Sequence, residues 1–278
     1  MRLAHLGPPG TFGEEAALKY AHAAKLLPCA SHAAVARAVE EGAADEGVMA
    51  IENLLNGSVA ETLDILIHDT GLRIQRELLL PVVHSLVVKP GTQVEQVAVI
   101  FSHPAAFAQC RKFLGARFAT AQLEAALSTA QAVELAMASA IPAAAIGTAR
   151  AAMLHGAEVL FERIQDSDLN VTRFVVVGHG EPASSGRDRT SIAFTFADDR
   201  PGLVAKVMNE FADRGINCSK FESRPTRETF GEYVFLIDFE GHHDDANCKA
   251  ALDAIRPMCA MLKVFGSYPR WQELAPAP

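Results

Sequence analysis

The stretch 170–174, which reads NVTRF, carries side chains that could act on a small anionic molecule. It leads into the apolar run 175–178, which is typical of a buried strand. The hydroxyl of Thr172 could donate a hydrogen bond to a leaving oxygen, and the planar guanidinium of Arg173 could hold a carboxylate. Threonine and arginine also flank strands without any such role, so a three-residue pattern alone leaves an ordinary structural role open.

Other polar side chains stand where predicted strands end or predicted helices begin. They are Thr11, Glu52, Asn53, Ser102, Ser128 and Thr129. Because ligands of open α/β sheets bind at the carboxyl ends of strands, we expect several of these side chains to meet in one cleft. Ser128 also suits a helix N-cap and Glu52 a structural ion pair, so both readings stay open. A cleft of hydroxyls and backbone amides suits a small carboxylate ligand.

The elements that must position these side chains alternate between strand and helix. Apolar runs predict strands at 2–6, 47–51, 97–101 and 143–146, and further strand character within 78–88, in one run at 78–80 and a second at 84–88. Helical spacing predicts helices at 14–18, 33–41, 59–67, 104–114, 130–138 and 148–154. This alternation predicts α/β sheets covered by helices. The turn 7–13 is rich in glycine and proline, and it faces the start of a helix whose first turn is acidic.

A second unit follows a polar stretch at 180–188, which has the composition of a linker. Strands are predicted at 191–196, 217–222, 233–239 and 261–265, with a loop at 224–227. Helices are predicted at 203–211, where Gly215 stops the pattern, and at 244–255. The order βαββαβ is the ferredoxin-like order. We expect the tail 269–278 to be loosely ordered.

Composition excludes several classes of protein. A length of 278 residues predicts about two domains, and a net charge of −8 argues against a nucleic-acid partner. We expect no signal peptide and no membrane span, because no apolar run approaches the roughly 20 residues that a span needs. The five cysteines form no Cys-x-x-Cys pair, so neither zinc nor a disulfide framework is indicated. A reducing, cytoplasmic compartment fits best.

Taken together, the motifs resemble those of the monofunctional prephenate dehydratases, from residue 2 to about residue 270. The matching stretches are GPPGTF at 7–12, IEN at 51–53 with GSV at 57–59, SHP at 102–104 with QC at 109–110, STA at 128–130, and Asn170 with TRF at 172–174. In the second unit, PG at 201–202 and ESRP at 222–225 match the phenylalanine-sensing motifs of that family. Ordered motifs in two domains are far more specific than any one alone.

The resemblance implies a fold and a domain order. It implies a catalytic domain at 1–179, made of two α/β lobes like those of periplasmic binding proteins, with a cleft between them. A linker at 180–188, a ferredoxin-like ACT regulatory domain at 189–270 and a tail at 271–278 would follow. It further implies conversion of prephenate to phenylpyruvate, allosteric control by L-phenylalanine, and a homodimer or homotetramer.

The resemblance also implies roles for particular residues, with Thr172 as the central catalytic residue. The expected catalytic residues are Thr172, Arg173, Asn53 and Glu52. The expected substrate contacts are Thr11, Ser102, Ser128, Thr129, Asn170 and Phe174. The expected effector contacts are Gly202, Leu203, Asn217, Glu222, Ser223, Arg224 and Pro225. No metal and no organic cofactor is expected.

Three positions depart from the family pattern. Leu54 stands where a serine is usual in the family, and Gly13 stands where a serine or threonine is frequent. In the sensing helix the family usually reads GALV, whereas this chain reads GLVA from Gly202 onward. The first removes a hydroxyl from the predicted cleft, and the last changes the lining of the effector site. Two alternatives therefore stay open: an arogenate dehydratase, and a non-catalytic sensor that binds a carboxylate without converting it.

Overall fold

The computed structural model describes residues 1–198, 200–226 and 231–271. The predictions made for Asp199, Arg227 and the tail 272–278 lie outside the described residues. The chain forms two compact units, which we call the first unit (Met1–Thr62 with Leu79–Phe174) and the second unit (Leu63–Leu78 with Val175–Pro278).

The strands and helices alternate along the described chain. The strands are β1 (Arg2–Leu6), β2 (Lys25–Cys29), β3 (Glu46–Asn53), β4 (Gly57–Ser58), β5 (Arg73–Pro81), β6 (Ser85–Val88), β7 (Val99–Ser102), β8 (Gln122–Ala125), β9 (Ala143–Gly147), β10 (Glu158–Phe161), β11 (Val171–Gly178), β12 (Asp188–Phe196), β13 (Cys218–Pro225), β14 (Tyr233–Glu240) and β15 (Cys259–Pro269). The α-helices are α1 (Phe12–Tyr20), α2 (His32–Glu40), α3 (Ala60–Asp64), α4 (Pro104–Gln109), α5 (Arg111–Arg117), α6 (Thr129–Ala138), α7 (Ala149–His155), α8 (Leu203–Ala212) and α9 (Ala246–Ile255). Single turns of 3₁₀ or π-helix occupy Ile65–Asp69, Val94–Gln96 and Arg256–Met258.

Two sheets organise the α/β part of the chain. The first has the order β2-β1-β3-β11-β5, in which β1 runs parallel to both β2 and β3. The second has the order β10-β6-β9-β7-β8, in which β7 runs parallel to β8 and β9 while β6 runs antiparallel to β9 and β10. The chain leaves the first sheet after β5 and returns to it only at β11. The predicted pair of α/β lobes is therefore confirmed.

The central strands β6, β7 and β9 of the second sheet are buried on both faces, which explains their continuous apolar runs. Leu86 and Ile146 pack into one hydrophobic cluster with Ile100, whereas Val87 and Ala145 pack into the cluster on the other face. Successive side chains of a strand point to opposite faces, so one apolar run serves both clusters.

The second unit contains an antiparallel sheet of order β13-β14-β12-β15. Helices α8 and α9 contribute to its core, where Phe211 of α8 lies 5.0 Å from Phe239 of β14 between ring centroids. The element order β12-α8-β13-β14-α9-β15 confirms the predicted ferredoxin-like βαββαβ order.

Several predicted boundaries were wrong, for local reasons. The runs predicted at 78–80 and 84–88 fall in two strands, β5 and β6, but β5 begins already at Arg73, because its first residues RIQRE are mostly polar and give no apolar run. The helix predicted at 59–67 changes from α-helix to a π-helical turn after Asp64. Arg224 and Pro225 belong to β13, paired with Val234 and Tyr233, rather than to a loop. Strands β2, β4, β8 and β10 were missed; β4 has only two residues, and the other three are short edge strands without a long apolar run.

No helix in the described ranges combines the length and the apolar character that crossing a membrane requires.

Candidate active site

A cavity of about 320 Å³ lies in the first unit and collects side chains from both lobes. Thr11 and Phe12 come from the start of α1 in the first lobe, and Ser128 and Thr129 come from the start of α6 in the second. The remaining lining residues are Leu6, Gly13, His32, Val48, Ala50, Asn53, Asn56, Val59, Val82, His84, His103, Ala105, Ala106, Gln109, Leu127, Thr172 and Phe174. The cavity has the size of an ordinary small-molecule site.

Three helices of nine or more residues begin at this cavity. Phe12, His32 and Thr129 are the first residues of α1, α2 and α6, and all three line it. No lysine or arginine occurs among the lining residues that the structure describes. Because a helix N-terminus presents unpaired N–H groups and a partial positive charge, the cavity suits an anion held by neutral donors.

The hydroxyl of Thr172 is oriented by Asn53. The side-chain oxygen of Asn53 accepts hydrogen bonds from the backbone N–H groups of Leu55 and Asn56, each at 3.0 Å. Its nitrogen must therefore be the atom that donates to Thr172 Oγ1 at 2.9 Å and to Asn170 Oδ1 at 2.8 Å. Thr172 Oγ1 accepts this bond, so its own hydrogen is available to a ligand.

Arg173 points away from the cavity. Thr172 and Phe174 line it, and alternation along β11 places Arg173 on the opposite face of the strand. There its guanidinium is buried and forms an ion pair with Glu52 at 3.0 Å. The pair joins β11 to β3. Arg173 and Glu52, both expected to be catalytic, do not line the cavity.

Two expected substrate contacts, Ser102 and Asn170, also lie outside the cavity lining. Ser102 is fully buried and donates its hydroxyl to Ile146 O at 2.9 Å. Asn170 is buried and donates to Gln109 Oε1 at 2.8 Å. The cavity does bring together six expected residues: Asn53, Thr11, Ser128, Thr129, Thr172 and Phe174.

Sequence reasoning assigned no site role to His32, His84 or Gln109, and it left His103 open between a helix cap and a residue of the cleft. His84 Nε2 lies 2.7 Å from Gln109 Oε1, and the Phe12 ring meets the His84 ring edge-on at 5.5 Å. Burial lowers the pKa of His84 and of His32, which favours neutral imidazoles. His103 caps α4, where its Nδ1 accepts from the Ala105 N–H at 3.2 Å. The motif at 109–110 was a usable signal for Gln109, whereas His84 follows no recognisable spacing.

An ion pair between the buried Glu14 and the half-buried Arg150 connects α1 of the first lobe to α7 of the second. Glu14 accepts hydrogen bonds from Arg150 at 3.1 Å and from the Gly10 N–H at 2.7 Å. Burial raises the pKa of the Glu14 carboxyl, but these hydrogen bonds outweigh burial and the net shift is downward. Gly10 has a φ of +86°, and a Cβ there would stand 2.9 Å from Ala151, so only glycine permits this approach.

A second cavity, of about 560 Å³, lies within the second unit. Gly202 and Leu203 line it at the start of α8, together with Phe196, Tyr233 and Phe235 among others. The other five expected effector contacts, Asn217, Glu222, Ser223, Arg224 and Pro225, do not line it. Arg224 instead forms an ion pair with Asp64 at 2.9 Å.

One cluster of potential metal ligands occurs in the part of the chain that the structure describes: His242, His243 and Asp244 in the second unit. Its imidazoles are engaged elsewhere. His242 Nε2 lies 3.3 Å from Pro182 O, and His243 Nδ1 lies 2.7 Å from Ser267 Oγ. These hydrogen bonds use one nitrogen of each ring, and the other nitrogens, His242 Nδ1 and His243 Nε2, lie 3.8 Å and 3.5 Å from carboxylate oxygens of Asp244. No metal is assigned to the cluster.

The fold and the cavity define a two-lobed α/β enzyme that carries a ferredoxin-like regulatory domain. The family model for prephenate dehydratase matches residues 3–182, and the model for the ACT domain matches residues 190–257. The chain belongs to the prephenate dehydratase family, as its motifs predicted.

Similar proteins agree with this assignment. The chain is 40% identical to the bifunctional chorismate mutase/prephenate dehydratase of Neisseria gonorrhoeae over 97% of its own length and 74% of the relative's. It is 37% identical to the prephenate dehydratase of Mycobacterium tuberculosis, over 97% of this chain and 87% of that one. A crystal structure of prephenate dehydratase from Arthrobacter aurescens in complex with L-Phe superposes with a TM-score of 0.91 at 34% identity, covering 100% of this chain and 94% of the other.

Proposed function

We propose that this protein converts prephenate into phenylpyruvate, with release of carbon dioxide and water, and that L-phenylalanine controls the reaction. The observation that carries the proposal is the hydrogen bond that the Thr172 hydroxyl accepts from Asn53 at 2.9 Å. Because the hydroxyl oxygen is the acceptor in this bond, its own hydrogen can be donated to a ligand. The hydroxyl stands in a cavity with apolar walls for a ring and helix N-termini for carboxylates.

The substrate has a six-membered ring with a carboxylate on one ring carbon and a hydroxyl on the opposite one. Phe12, Val48 and Phe174 supply apolar surface for the ring. The first turns of α1 and α6, with the hydroxyls of Ser128 and Thr129, supply neutral donors for the two carboxylates, one on the ring and one on its pyruvyl side chain. The Thr11 hydroxyl instead donates to Leu6 O at 3.1 Å. Such preorganised donors contribute much of an enzyme's rate enhancement.

In the reaction, the bond between the ring carbon and its carboxylate breaks, and carbon dioxide leaves. The electron pair moves into the ring, which becomes aromatic as the C–O bond at the opposite carbon breaks. The departing hydroxide takes up one proton and leaves as water. Thr172 is too weak an acid to be deprotonated outright, so it stabilises the departing oxygen by a hydrogen bond, within about 3 Å, while the proton comes ultimately from solvent.

Regulation is assigned to the second unit. The cavity lined by Gly202 and Leu203 is the candidate phenylalanine site, and its aromatic residues Phe196, Tyr233 and Phe235 suit an aromatic ligand. Control requires that phenylalanine bind two conformations with different affinity. The roles of Asn217 and of Glu222–Pro225 as effector contacts stay predictions.

Three further assignments are proposals of the same kind. The domain boundaries at 179, 188 and 270 stay predictions, as does a homodimer or homotetramer. A cytoplasmic location is supported by five cysteines that are all free thiols.

The test is incubation of the purified protein with prephenate while phenylpyruvate is followed, with and without phenylalanine. Arogenate is supplied in a parallel reaction, because the leucine at position 54 leaves the choice between the two substrates open. Formation of phenylpyruvate, altered by phenylalanine, is expected. Turnover of arogenate alone would make the protein an arogenate dehydratase, and tight binding without turnover would make it a sensor.

A further inference from the structure

We propose that His84 is a positioning residue: as the neutral imidazole with hydrogen on Nε2, it holds Gln109 so that the amide N–H groups of Gln109 face the cavity. The kinetic part of this proposal rests on the proposed function, whereas its structural part does not. Nothing in the sequence motifs or the comparisons assigns a role to His84.

A chain of hydrogen bonds fixes the orientation of Gln109. It starts at Asn53, whose side-chain oxygen is held by the backbone N–H groups of Leu55 and Asn56. Asn53 must then donate to Asn170 Oδ1, which leaves the nitrogen of Asn170 to donate to Gln109 Oε1 at 2.8 Å. The oxygen of Gln109 is therefore the atom in the chain, and its nitrogen is free of it.

His84 completes the chain from the other end. Its Nε2 lies 2.7 Å from the same oxygen, Gln109 Oε1, which can only accept. Nε2 must therefore carry the hydrogen. Nδ1 is buried and has no hydrogen-bond partner among the described residues, so a proton there would be a buried charge without a partner. Burial also lowers the pKa of His84, which agrees with a neutral ring.

The consequence is a fixed pair of donors in the cavity wall. Gln109 lines the cavity, and its Nε2 donates to no acceptor in the part of the chain that the structure describes. Without His84, one of the two bonds that hold Oε1 is lost, and the amide can rotate away from its productive orientation. A misplacement of this kind costs about 10²-fold in rate.

The experiment combines a double-mutant cycle with a conservative rescue. His84→Leu removes the donor, Gln109→Met removes the donors that His84 is inferred to position, and the double variant removes both. We expect His84→Leu to lower kcat/KM by about 10²-fold and the double variant to be no slower than Gln109→Met, because His84 acts through Gln109.

His84→Gln, which places a side-chain N–H near the former Nε2, is expected to recover at least about tenfold of the loss. Multiplicative losses in the double variant, or no recovery by His84→Gln, would overturn the proposal.

A matched control separates positioning from packing. His5 is equally buried but does not line the cavity, so His5→Leu is expected to lower the thermal midpoint without a comparable loss of kcat.

The tautomer of His84 is determined independently of activity by nitrogen-15 NMR of histidine-labelled protein. The spectrum of His84→Gln, which lacks the His84 signals, supplies the assignment. Hydrogen on Nε2 with an unprotonated Nδ1 at pH 7 is expected. Hydrogen on Nδ1 would contradict the proposal even if prephenate were not the substrate, and absence of prephenate turnover with the expected tautomer would count against the proposed function alone.

Discussion

The side-chain nitrogen of Asn53 lies 2.9 Å from the hydroxyl oxygen of Thr172, a residue 119 positions further along the chain. The opposite end of the Asn53 amide is held by two backbone N–H groups, so this bond has only one direction. Asn53 donates, Thr172 accepts, and the hydroxyl hydrogen of Thr172 is left for the ligand.

The direction of that hydrogen bond can be reversed by Asn53→Asp. The carboxylate can still accept from the N–H groups of Leu55 and Asn56, but it cannot donate, so the Thr172 hydroxyl would turn toward it. We expect kcat to fall by about 10²-fold or more, comparable with the loss of an oxyanion donor, and the thermal midpoint to fall as well, because the buried Asn170 Oδ1 loses its donor. Steady-state kinetics and thermal unfolding measure the two effects. Near-normal turnover would show that the direction of the bond does not matter.

The ion pair of Arg173 and Glu52 is expected to serve stability more than turnover. Arg173→Met removes a buried charge-assisted hydrogen bond, and we expect the free energy of unfolding to fall by about 1.5–3 kcal/mol. Because Arg173 faces away from the cavity, kcat should fall less than in Thr172→Ala. Denaturant titration and steady-state kinetics of both variants decide the question. A loss of kcat as large as that of Thr172→Ala in a stable Arg173→Met protein would restore a catalytic role to the guanidinium.

The pair of Glu14 and Arg150 predicts a pH dependence of stability. The folded-state pKa of Glu14 is lowered from its ordinary value of 4.5, so its contribution is fully present above about pH 4.5 and is lost as pH falls through the folded-state pKa. Arg150→Met removes the main partner. We expect this variant to be less stable than the parent at pH 7 and the difference to shrink below pH 4.5, as measured by denaturant titration across pH. A difference that stays constant down to pH 3 would mean that Glu14 is not the partner that matters.

Effector binding is expected to depend on the backbone at Gly202. Gly202 has a φ of +88° at the start of α8 and lines the second cavity, whereas Gly215 has a φ of +67° beyond the end of α8 and does not line it. Alanine at either position costs a similar strain, about 1 kcal/mol. Only Gly202→Ala is expected to weaken phenylalanine binding, by tenfold or more as measured by calorimetry, at unchanged basal turnover. Equal phenylalanine affinity in the two variants would place the effector elsewhere.

How far the sequence predicted the fold depended on how strongly each segment was patterned. The central strands β3 and β9 have apolar runs and were predicted within two residues at either end. The edge strand β8 is exposed along its whole length, so it has no apolar pattern to read. The six-element order of the second unit was predicted because its strands are buried on one face and its helices are amphipathic.

For the site, motifs located the strand ends but not the direction of each side chain. Thr172 and Arg173 are neighbours in the same motif, yet strand alternation puts only Thr172 in the cavity. Ser102 ends a strand as expected, but its hydroxyl is taken by Ile146 O inside the core. His84 was missed because its role depends on Gln109, 25 residues away, and no local spacing connects the two.

The most direct test of the account compares Thr172→Ala with the parent enzyme and with Thr172→Ser in conversion of prephenate to phenylpyruvate. We expect Thr172→Ala to fold with a near-normal thermal midpoint and to lose about 10²- to 10³-fold in kcat, because the donor to the departing oxygen is gone. Thr172→Ser keeps the hydroxyl and should retain most of the turnover. A Thr172→Ala enzyme as active as the parent would contradict the central role of this hydroxyl.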